Sequence, residues 1–171
     1  MEELHRWLTA GTEWSEPELA ALQAALPDGF TCEISPAAER WWKQAAGALR
    51  RGWLVAFDYG FAAGEQVRAG RTRGTLRAYR SHQVSDDLLA TPGEQDLTAH
   101  ANFAVLQAAG EVAGLRTVEF CPQERFLARV APKLPGEWTP ARTRQLRTLV
   151  HPGHLGAAFK VLVQERAPAA P

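Results

Sequence analysis

The hydrophobic pattern alternates between helix-like and strand-like stretches along most of the chain. A helix is predicted to begin after Ser15, because its hydroxyl and the Glu18 carboxylate can satisfy the first free amides of the helix. It is expected to run to about Leu26, before the helix-breaking sequence PDG. Ser35-Pro36 predicts a second helix in the same way, ending before Gly52. The apolar side of this second helix is predicted to comprise Ala38, Trp41, Ala45, Ala48 and Leu49.

Two short apolar runs predict strands of one sheet. Residues 53–57, WLVAF, follow Gly52 directly and are continuous rather than alternating, which is typical of a strand buried on both faces. Asn102 then predicts the cap of a helix that ends at Gly114, and residues 115–121, LRTVEFC, follow as the next strand. A helix followed by a strand, twice over, predicts a parallel α/β sheet.

The C-terminal part repeats the same order of elements. Thr139-Pro140 predicts another helix start, residues 151–156 form a turn, and AFKVLV at 158–163 predicts a last strand. Because a short turn-rich segment joins this helix to the strand, we expect the strand to lie antiparallel at the sheet edge. Residues 167–171 are expected to form a disordered tail.

Between Gly60 and Asn102 lie roughly forty residues with little helical or strand periodicity. Connections of this length are uncommon in compact domains and are usually lids or linkers. Leu76 and Tyr79 give this segment apolar anchors of its own, so we expect an ordered lid over residues 61–101.

Composition limits the classes of protein to consider. The 171 residues carry 19 Lys+Arg against 19 Asp+Glu, and 46% of them are hydrophobic, with a mean hydropathy of −0.26. These values indicate about one soluble globular domain and exclude a protein whose whole surface binds nucleic acid or an anionic membrane. Two cysteines are too few for a disulfide framework, and no signal-like or membrane-spanning stretch is present, so a cytoplasmic protein is expected.

The end of the first predicted strand is a candidate site. In open α/β sheets the ligand lies outside the carboxyl ends of the strands, so Asp58, Tyr59 and Gly60 are placed to catalyse or bind. The alternative is that Asp58 caps a turn that Gly60 permits. No GxGxxG sequence follows a strand, and therefore nothing in the sequence predicts a cradle for a nucleotide.

A run of arginines in the lid is a second candidate. Five of them fall between residues 68 and 80 with no acid among them: Arg68, Arg71, Arg73, Arg77 and Arg80. Such a cluster can hold phosphate, a carboxylate or RNA. A solvated basic loop is the plainer interpretation, and we favour it over a nucleic-acid site because only Tyr79 offers a stacking surface.

The lid also carries a group of histidines and aspartates. A His beside carboxylates can act as a general base, and paired carboxylates can hold a guanidinium. Each residue alone is typical of a loop cap, but their concentration beside one strand end makes the group a candidate site. Cys121 has Glu119 nearby, which disfavours a thiolate, so a buried structural role is expected for it. The members of the group are His82, Asp86, Asp87, Asp96 and His100.

Four stretches, in this order, resemble the C-terminal half of the MidA family. They are LPDGFTCEISPAAERWW, RRGWLVAFDYGF, RGTLRAYRSHQVSDDLLATPGEQDLTAHANF and HPGHLGAAFKVLV. The family comprises S-adenosylmethionine-dependent methyltransferases whose mitochondrial members assist complex I assembly and dimethylate an arginine of a complex I subunit. The chain departs from it at His154, where the family more often has Glu.

The resemblance implies the C-terminal part of a Rossmann-like class I methyltransferase sheet with a long lid insertion. WLVAF is similar to the fifth strand, LRTVEFC to the sixth and AFKVLV to the reversed seventh. Residues 1–30 then resemble the remnant of an inserted substrate-facing segment, residues 31–166 the C-terminal half of the methyltransferase domain, and residues 167–171 the tail. The family's glycine-rich cofactor loop lies upstream of the matching region, so a truncated product, a split subunit or a fragment is implied.

The resemblance also implies a function. The chain is expected to be the substrate-side portion of a protein arginine methyltransferase, inactive alone, with S-adenosylmethionine held mostly by the missing half and no cofactor-binding residue or metal in this chain. Its implied partners are a protein substrate, such as a respiratory complex subunit, and a separate chain carrying the cofactor site, with no membrane or nucleic acid. The implied catalytic residues are Asp58, His82, Asp96 and His100, and the implied substrate-binding residues are Tyr59, Gly60, Arg73, Arg77 and Tyr79.

A second hypothesis belongs to a different class of protein. In it the chain is a non-catalytic relic or binding module whose Arg-rich lid contacts a protein or RNA. Binding of S-adenosylmethionine by the isolated chain would contradict the assignment of the cofactor site to another polypeptide.

Overall fold

The computed structural model describes residues 2–67 and 71–168, so Arg68 and residues 169–171 of the expected tail lie outside it. The described residues fall into two compact units. Unit 1 comprises Met1–Ala37 and Phe61–Val105, and unit 2 comprises Ala38–Gly60 and Leu106–Pro171. The helices are α1 (Glu2–Thr9), α2 (Glu16–Ala25), α3 (Pro36–Ala48), α4 (Phe103–Val112), α5 (Gln123–Val130) and α6 (Pro140–Val150), with a short 3₁₀ helix at Ala131–Lys133. The strands are β1 (Gly52–Phe61), β2 (Arg77–Arg80), β3 (Gln83–Ser85), β4 (Asp96–Thr98), β5 (Ala101–Asn102), β6 (Arg116–Pro122) and β7 (Phe159–Arg166).

The predicted helix starts are confirmed by their capping bonds. At α2 the Ser15 amide donates to the Glu18 carboxylate over 2.7 Å. At α6 the Thr139 hydroxyl accepts from a backbone amide over 3.2 Å, and the Asn102 side chain does the same at α4 over 3.2 Å. Each bond satisfies an amide that the first turn of a helix leaves free. Helices α1 and α5 were not predicted, and α5 starts directly after β6 with no side-chain cap.

The buried side of α3 differs from the predicted one by a single position. Trp41 is 61% exposed, whereas Trp42 is only 2% exposed and Ala46 is completely buried. The Trp42 indole N–H donates to Gln164 over 2.7 Å, and this bond fixes which of two adjacent tryptophans points inward.

The sheet of unit 2 has β7 at its centre. β7 pairs antiparallel with β1 on one side, from Gly52 opposite Arg166 to Tyr59 opposite Phe159, and antiparallel with β6 on the other. β1 and β6 therefore run parallel to each other, as predicted, with the reversed strand between them. The expectation that the last strand lies at the sheet edge was wrong.

The burial of β1 and β7 is also the reverse of what the sequence predicted, which was two-sided burial for β1 and an edge position for β7. Val161, Leu162 and Gln164 on β7 are fully buried, which is the two-sided burial expected of a central strand. On β1, by contrast, Trp53 is 65% exposed and Val55 43% exposed, and exposure alternates over the first half of the strand. β1 also continues through Asp58 and Tyr59 to Phe61, so these residues lie within the strand rather than after it.

Gln164 links three elements of unit 2 from inside its core. Its side-chain oxygen accepts from Trp42, and its side-chain nitrogen donates to the Gln107 carbonyl over 2.8 Å and to the Thr117 hydroxyl over 2.9 Å. Gly110 leaves the necessary space, because a Cβ there would lie 1.8 Å from the Gln164 oxygen. Each partner is a polar group that would be costly to bury alone.

The lid of unit 1 contains a small antiparallel sheet in the order β3-β2-β4, which was not predicted. Ser81 and His82 form the two-residue turn between β2 and β3, with φ of 50° and 64°. Positive φ at both positions matches the tight hairpin turn that suits the strand twist. The strands escaped prediction because they are short and both β3 and β4 are exposed throughout, which removes the alternation that reveals a strand.

Replacing Gln164 by Leu should lower the free energy of unfolding by about 3 kcal/mol, because the buried Trp42 indole N–H loses its acceptor and the bonds to Gln107 and Thr117 are lost with it. Urea denaturation followed by circular dichroism measures this loss. Gln145→Leu on the exposed side of α6 is the matched control and should leave the midpoint almost unchanged. A loss below about 1 kcal/mol for Gln164→Leu would show that Gln164 does not hold the core together.

Candidate functional site

One carboxylate organises the candidate site of unit 1. Glu33 Oε1 accepts from the backbone amides of Thr75 over 2.6 Å and Leu76 over 2.8 Å, and its Oε2 accepts from the Thr75 hydroxyl over 3.0 Å. Just before it, the Thr31 amide donates to the Thr72 carbonyl over 2.9 Å. The segment that carries the arginines is therefore tied to residues 31–33.

Gly74 is required by this arrangement. Its φ is +61°, and a Cβ at this position would lie 2.2 Å from the Glu33 Oε1 atom. A side chain would therefore displace the carboxylate from the amides that it accepts from.

Thr75 connects Glu33 to His100 through its hydroxyl group. The Thr75 hydroxyl is buried and accepts from the His100 backbone amide over 2.9 Å while donating to Glu33. The imidazole lies against Phe61, with ring centroids 4.9 Å apart. His100 is thus held half-buried through its backbone and its ring face.

A small cavity of about 20 Å³ lies beside this network. The Trp7 indole N–H and the Gln66 side-chain oxygen, on residues only 5% and 8% exposed, have no hydrogen-bond partner among the described residues. The Gln66 nitrogen donates to the carbonyls of Trp7 and Leu8, each over 3.1 Å, so its oxygen remains available. The cavity can hold a group the size of one water molecule. Its lining residues include Trp7, Cys32, Phe61, Gln66, Arg71, His100 and Asn102.

A larger cleft of about 360 Å³ opens on the same segment, and we call it the basic cleft. Arg71 is anchored in it, because its guanidinium stacks on the Phe61 ring at 4.4 Å and donates to the Glu65 carbonyl over 2.9 Å. Two further arginines share the exposed Asp86 carboxylate, Arg73 at 3.4 Å and Arg77 at 3.6 Å. The residues that line the cleft are Arg71, Thr72, Arg73, Gly74, Thr75, Arg77 and His100.

The structure brings together only some of the residues proposed from the sequence. Arg73, Arg77 and His100 line the basic cleft. Tyr79 and Asp96 lie opposite each other on β2 and β4, both exposed. His82 lies in the turn beyond the far end of β2, about 10 Å or more from Arg77 along the strand.

The remaining predicted residues belong to unit 2. Asp58 is exposed, and its carboxylate accepts from the Tyr59 amide over 2.8 Å. The Tyr59 ring packs on Phe159 at 4.0 Å, and Gly60 is buried. The catalytic and binding roles of these residues stay predictions.

Sequence reasoning missed the residues that shape the site. Trp7 and Gln66 carry no motif. Glu33 and Thr75 lie in two of the stretches that resemble the family, but the partners of Glu33 lie 42 and 43 positions away in the chain, so the sequence does not pair them. The only available signal was the sequence RGTL, in which Gly precedes a small hydroxyl residue at the start of a strand.

The described residues provide neither a metal site nor a helix that could span a membrane. No group of three or more His, Cys, Asp or Glu side chains is placed to hold a metal ion in the part of the chain that the structure describes. Within the same residues, none of the helices has the length and apolar character needed to cross a bilayer.

Cys121 has the buried environment expected from the sequence. Burial and the neighbouring Glu119, which accepts from its thiol over 3.3 Å, raise its pKa to about 11. Because the thiolate is the reactive form, Cys121 is protonated and unreactive near neutral pH.

Alkylation of Cys121 in a Cys32→Ser variant should therefore be slow near neutral pH and accelerate as the pH approaches about 11. In the unfolded chain the thiol loses its proton near its ordinary pKa of 9.0, whereas in the folded chain it does so near pH 11. The contribution of the protonated thiol to folding stability is therefore present below about pH 9 and is lost as the pH rises to about 11. Iodoacetamide labelling read by mass spectrometry measures the rate, with the urea-unfolded variant as control. Equal rates for the native and unfolded chains would contradict the buried thiol.

Gly74→Ala should destabilise unit 1 more than Gly93→Ala does. Both positions have a positive φ, but a Cβ at Gly93 meets nothing within 4 Å, so only Gly74→Ala also displaces a carboxylate. In urea denaturation, we expect Gly74→Ala to lower the free energy of unfolding by about 2 kcal/mol more than Gly93→Ala does. This is the usual size of the loss when hydrogen bonds to a charged group are broken. Equal losses would show that the Glu33 contacts add nothing to stability.

Comparisons with known proteins give the family. Residues 6–121 match the model of a family described as "Putative S-adenosyl-L-methionine-dependent methyltransferase". No curated protein matches the chain.

Two solved structures from Burkholderia thailandensis are similar to this chain. One is the native structure of an uncharacterized protein, with 28% identity, a TM-score of 0.73, and coverage of 90% of this chain and 44% of that one. The other protein, which belongs to the same superfamily as the first, is bound to S-adenosyl-homocysteine. It has 26% identity and a TM-score of 0.74, and the match covers 90% of this chain and 42% of that one. The chain thus spans less than half the length of either protein. Since the family model matches more than half of its residues, this chain belongs to the family of S-adenosyl-L-methionine-dependent methyltransferases.

Proposed function

We propose that this chain forms the substrate-facing portion of a protein methyltransferase of the MidA type, with an arginine side chain as the methyl acceptor. The observation that carries the proposal is the similarity to a protein bound to S-adenosyl-homocysteine, the product left when S-adenosylmethionine has given up its methyl group. The order of β1, β7 and β6, with β7 reversed, supports the fifth, seventh and sixth positions of a Rossmann-like class I sheet.

The proposal keeps the division of the chain drawn from the resemblance. Residues 1–30 act as a substrate-facing segment, residues 31–166 belong to the methyltransferase domain, and residues 61–101 form the lid. The basic cleft lies within this lid region, which supports its assignment to the substrate side.

The residues that line the two pockets do not fit the cofactor. S-adenosylmethionine is a sulfonium cation joined to an adenosine, and ligands of this size occupy pockets of several hundred Å³. The cavity of about 20 Å³ is too small, and the three arginines of the larger cleft would repel a sulfonium. We therefore assign the cofactor mostly to the half of the methyltransferase domain that this sequence does not cover, and derive no step through it.

The acceptor side requires a base and a means of handling positive charge. A guanidinium that gains an alkyl group on nitrogen must release a proton, and a carboxylate can orient it meanwhile. In the proposal His100 takes this proton, because it lines a cleft, its ring packs on Phe61 and its backbone amide is bonded to Thr75. Asp96 is retained as a carboxylate that orients the acceptor. The catalytic roles of Asp58, in unit 2, and of His82, in the turn after β2, stay predictions from the resemblance.

A specific observation also favours the alternative of a binding module without catalysis. The basic cleft is complete within unit 1 and its chemistry is that of anion recognition, which needs no cofactor. In this alternative the Arg-rich lid binds an acidic protein and the chain transfers no methyl group.

Titration of S-adenosylmethionine into the purified chain should give no heat of binding in calorimetry, because the described pockets do not fit it. A Kd at or below the micromolar range, about −8 kcal/mol, would contradict the assignment of the cofactor to the half of the domain that this sequence does not cover.

In an enzyme completed with the cofactor-binding polypeptide, His100→Ala should lower methyl transfer to a protein substrate by about 100-fold, the usual contribution of a general base, and leave cofactor affinity unchanged. Asp96→Asn should also lower transfer without affecting the cofactor. His154→Ala, an exposed histidine of unit 2, is the control that should retain turnover. Unchanged turnover in His100→Ala and Asp96→Asn would remove both residues from the site.

A further inference from the structure

The basic cleft has an excess of positive charge that its surroundings do not neutralise. The residues that line it include three arginines and no acid. Asp86 is the one carboxylate that the described contacts place on this group, and it reaches only Arg73 and Arg77. The Glu33 carboxylate, bonded to Thr75 and Leu76 beside the lining, is a second anion. Three cations and two anions leave one positive charge.

Arg71 supplies a fixed donor to the cleft. Its guanidinium is stacked on Phe61 and one of its nitrogens donates to the Glu65 carbonyl, so its orientation is set before any ligand arrives. A guanidinium carries five N–H donors in a rigid fork that matches a carboxylate, and this carbonyl uses one of them. A donor that is already ordered loses little conformational entropy when it binds.

Asp86 shows that Arg73 and Arg77 can pair with a carboxylate. Its two carboxylate oxygens face different arginines, at 3.4 Å from Arg73 and 3.6 Å from Arg77. These distances are longer than those of a charge-assisted hydrogen bond, and the Asp86 side chain is 56% exposed. The pairs are therefore weak, and a better-placed carboxylate can displace Asp86.

The cleft lacks the features that a nucleic acid would use. No Phe, Tyr or Trp side chain is among its lining residues, and single-stranded nucleic acid gains much of its affinity by stacking bases on such rings. A volume of about 360 Å³ suits one or two acidic side chains.

We propose that the basic cleft binds the carboxylates of an acidic polypeptide segment, through Arg71, Arg73 and Arg77, in competition with the chain's own Asp86. The three arginines repel a guanidinium, so the acidic residues that flank an acceptor arginine bind to them, and the acceptor itself lies beside His100 instead. The claim that the cleft binds acidic segments depends only on the cleft itself. The claim that such segments belong to the methylation substrate rests on the proposed function.

The test is fluorescence anisotropy of a labelled hexaglutamate peptide titrated with the full chain, with hexaglutamine as the neutral peptide. Hexaglutamate should bind and hexaglutamine should not. The double variant Arg73→Gln and Arg77→Gln should weaken binding by at least about tenfold, because two charge-assisted contacts are lost. Asp86→Asn should strengthen binding by about threefold, because an internal competitor is removed.

Arg80→Gln is the matched control. Arg80 lies on β2, three positions after Arg77, and pairs with Glu94 over 2.7 Å instead of lining the cleft. Its loss removes one positive charge from the same strand, and the affinity should change by less than about twofold. If Arg80→Gln weakened hexaglutamate binding as much as the cleft variants do, the binding would depend on general surface charge, and the proposal would be overturned.

Two competitors identify the ligand class. Inorganic phosphate that displaces hexaglutamate at equal concentration would make the cleft a general oxyanion site and overturn the assignment to polypeptide. A single-stranded oligonucleotide that binds more tightly than the peptide would do the same. Because no cofactor or methyl transfer is involved, failure of the transferase assays leaves this result standing, and loss of peptide binding leaves the transferase proposal standing.

Discussion

The hydrogen bonds of one carboxylate determine the course of the lid segment on which the candidate site depends. Glu33 accepts from two consecutive amides and one hydroxyl, and this arrangement requires glycine at position 74. A carboxylate that gives up water must recover several hydrogen bonds within the protein, and here the backbone at Thr75 and Leu76 supplies them. The arginines before and after these residues consequently line one cleft, and His100 is fixed to the same hydroxyl.

Unit 2 follows the same principle with a neutral amide. The Gln164 side chain is fully buried and meets a donor from α3 and acceptors from α4 and β6, so it links these three elements. Both units are therefore organised by buried or half-buried polar groups whose partners come from distant parts of the sequence. In unit 1 this order also orients charged donors toward the basic cleft, where they can bind a ligand.

Local signals made much of the fold predictable. Ser15, Asn102 and Thr139 indicated helix starts, because Asn102 and Thr139 each accept from an amide of the next turn and Glu18 accepts from the Ser15 amide. The position of β7 and the choice of Trp42 over Trp41 were not predictable, since both depend on pairing across more than a hundred residues. The site shows the same contrast: Arg73, Arg77 and His100 stood out by their chemistry, whereas Glu33 has no nearby partner in the sequence to reveal it.

The central claim is that Glu33 holds the arginine-bearing segment in place, and amide hydrogen exchange tests it most directly. In the wild-type chain the amides of Thr75 and Leu76 should exchange slowly, and in Glu33→Ala both should lose their protection while the amides of β7 in unit 2 keep theirs. Unchanged protection of Thr75 and Leu76 in Glu33→Ala, measured by NMR, would contradict the claim.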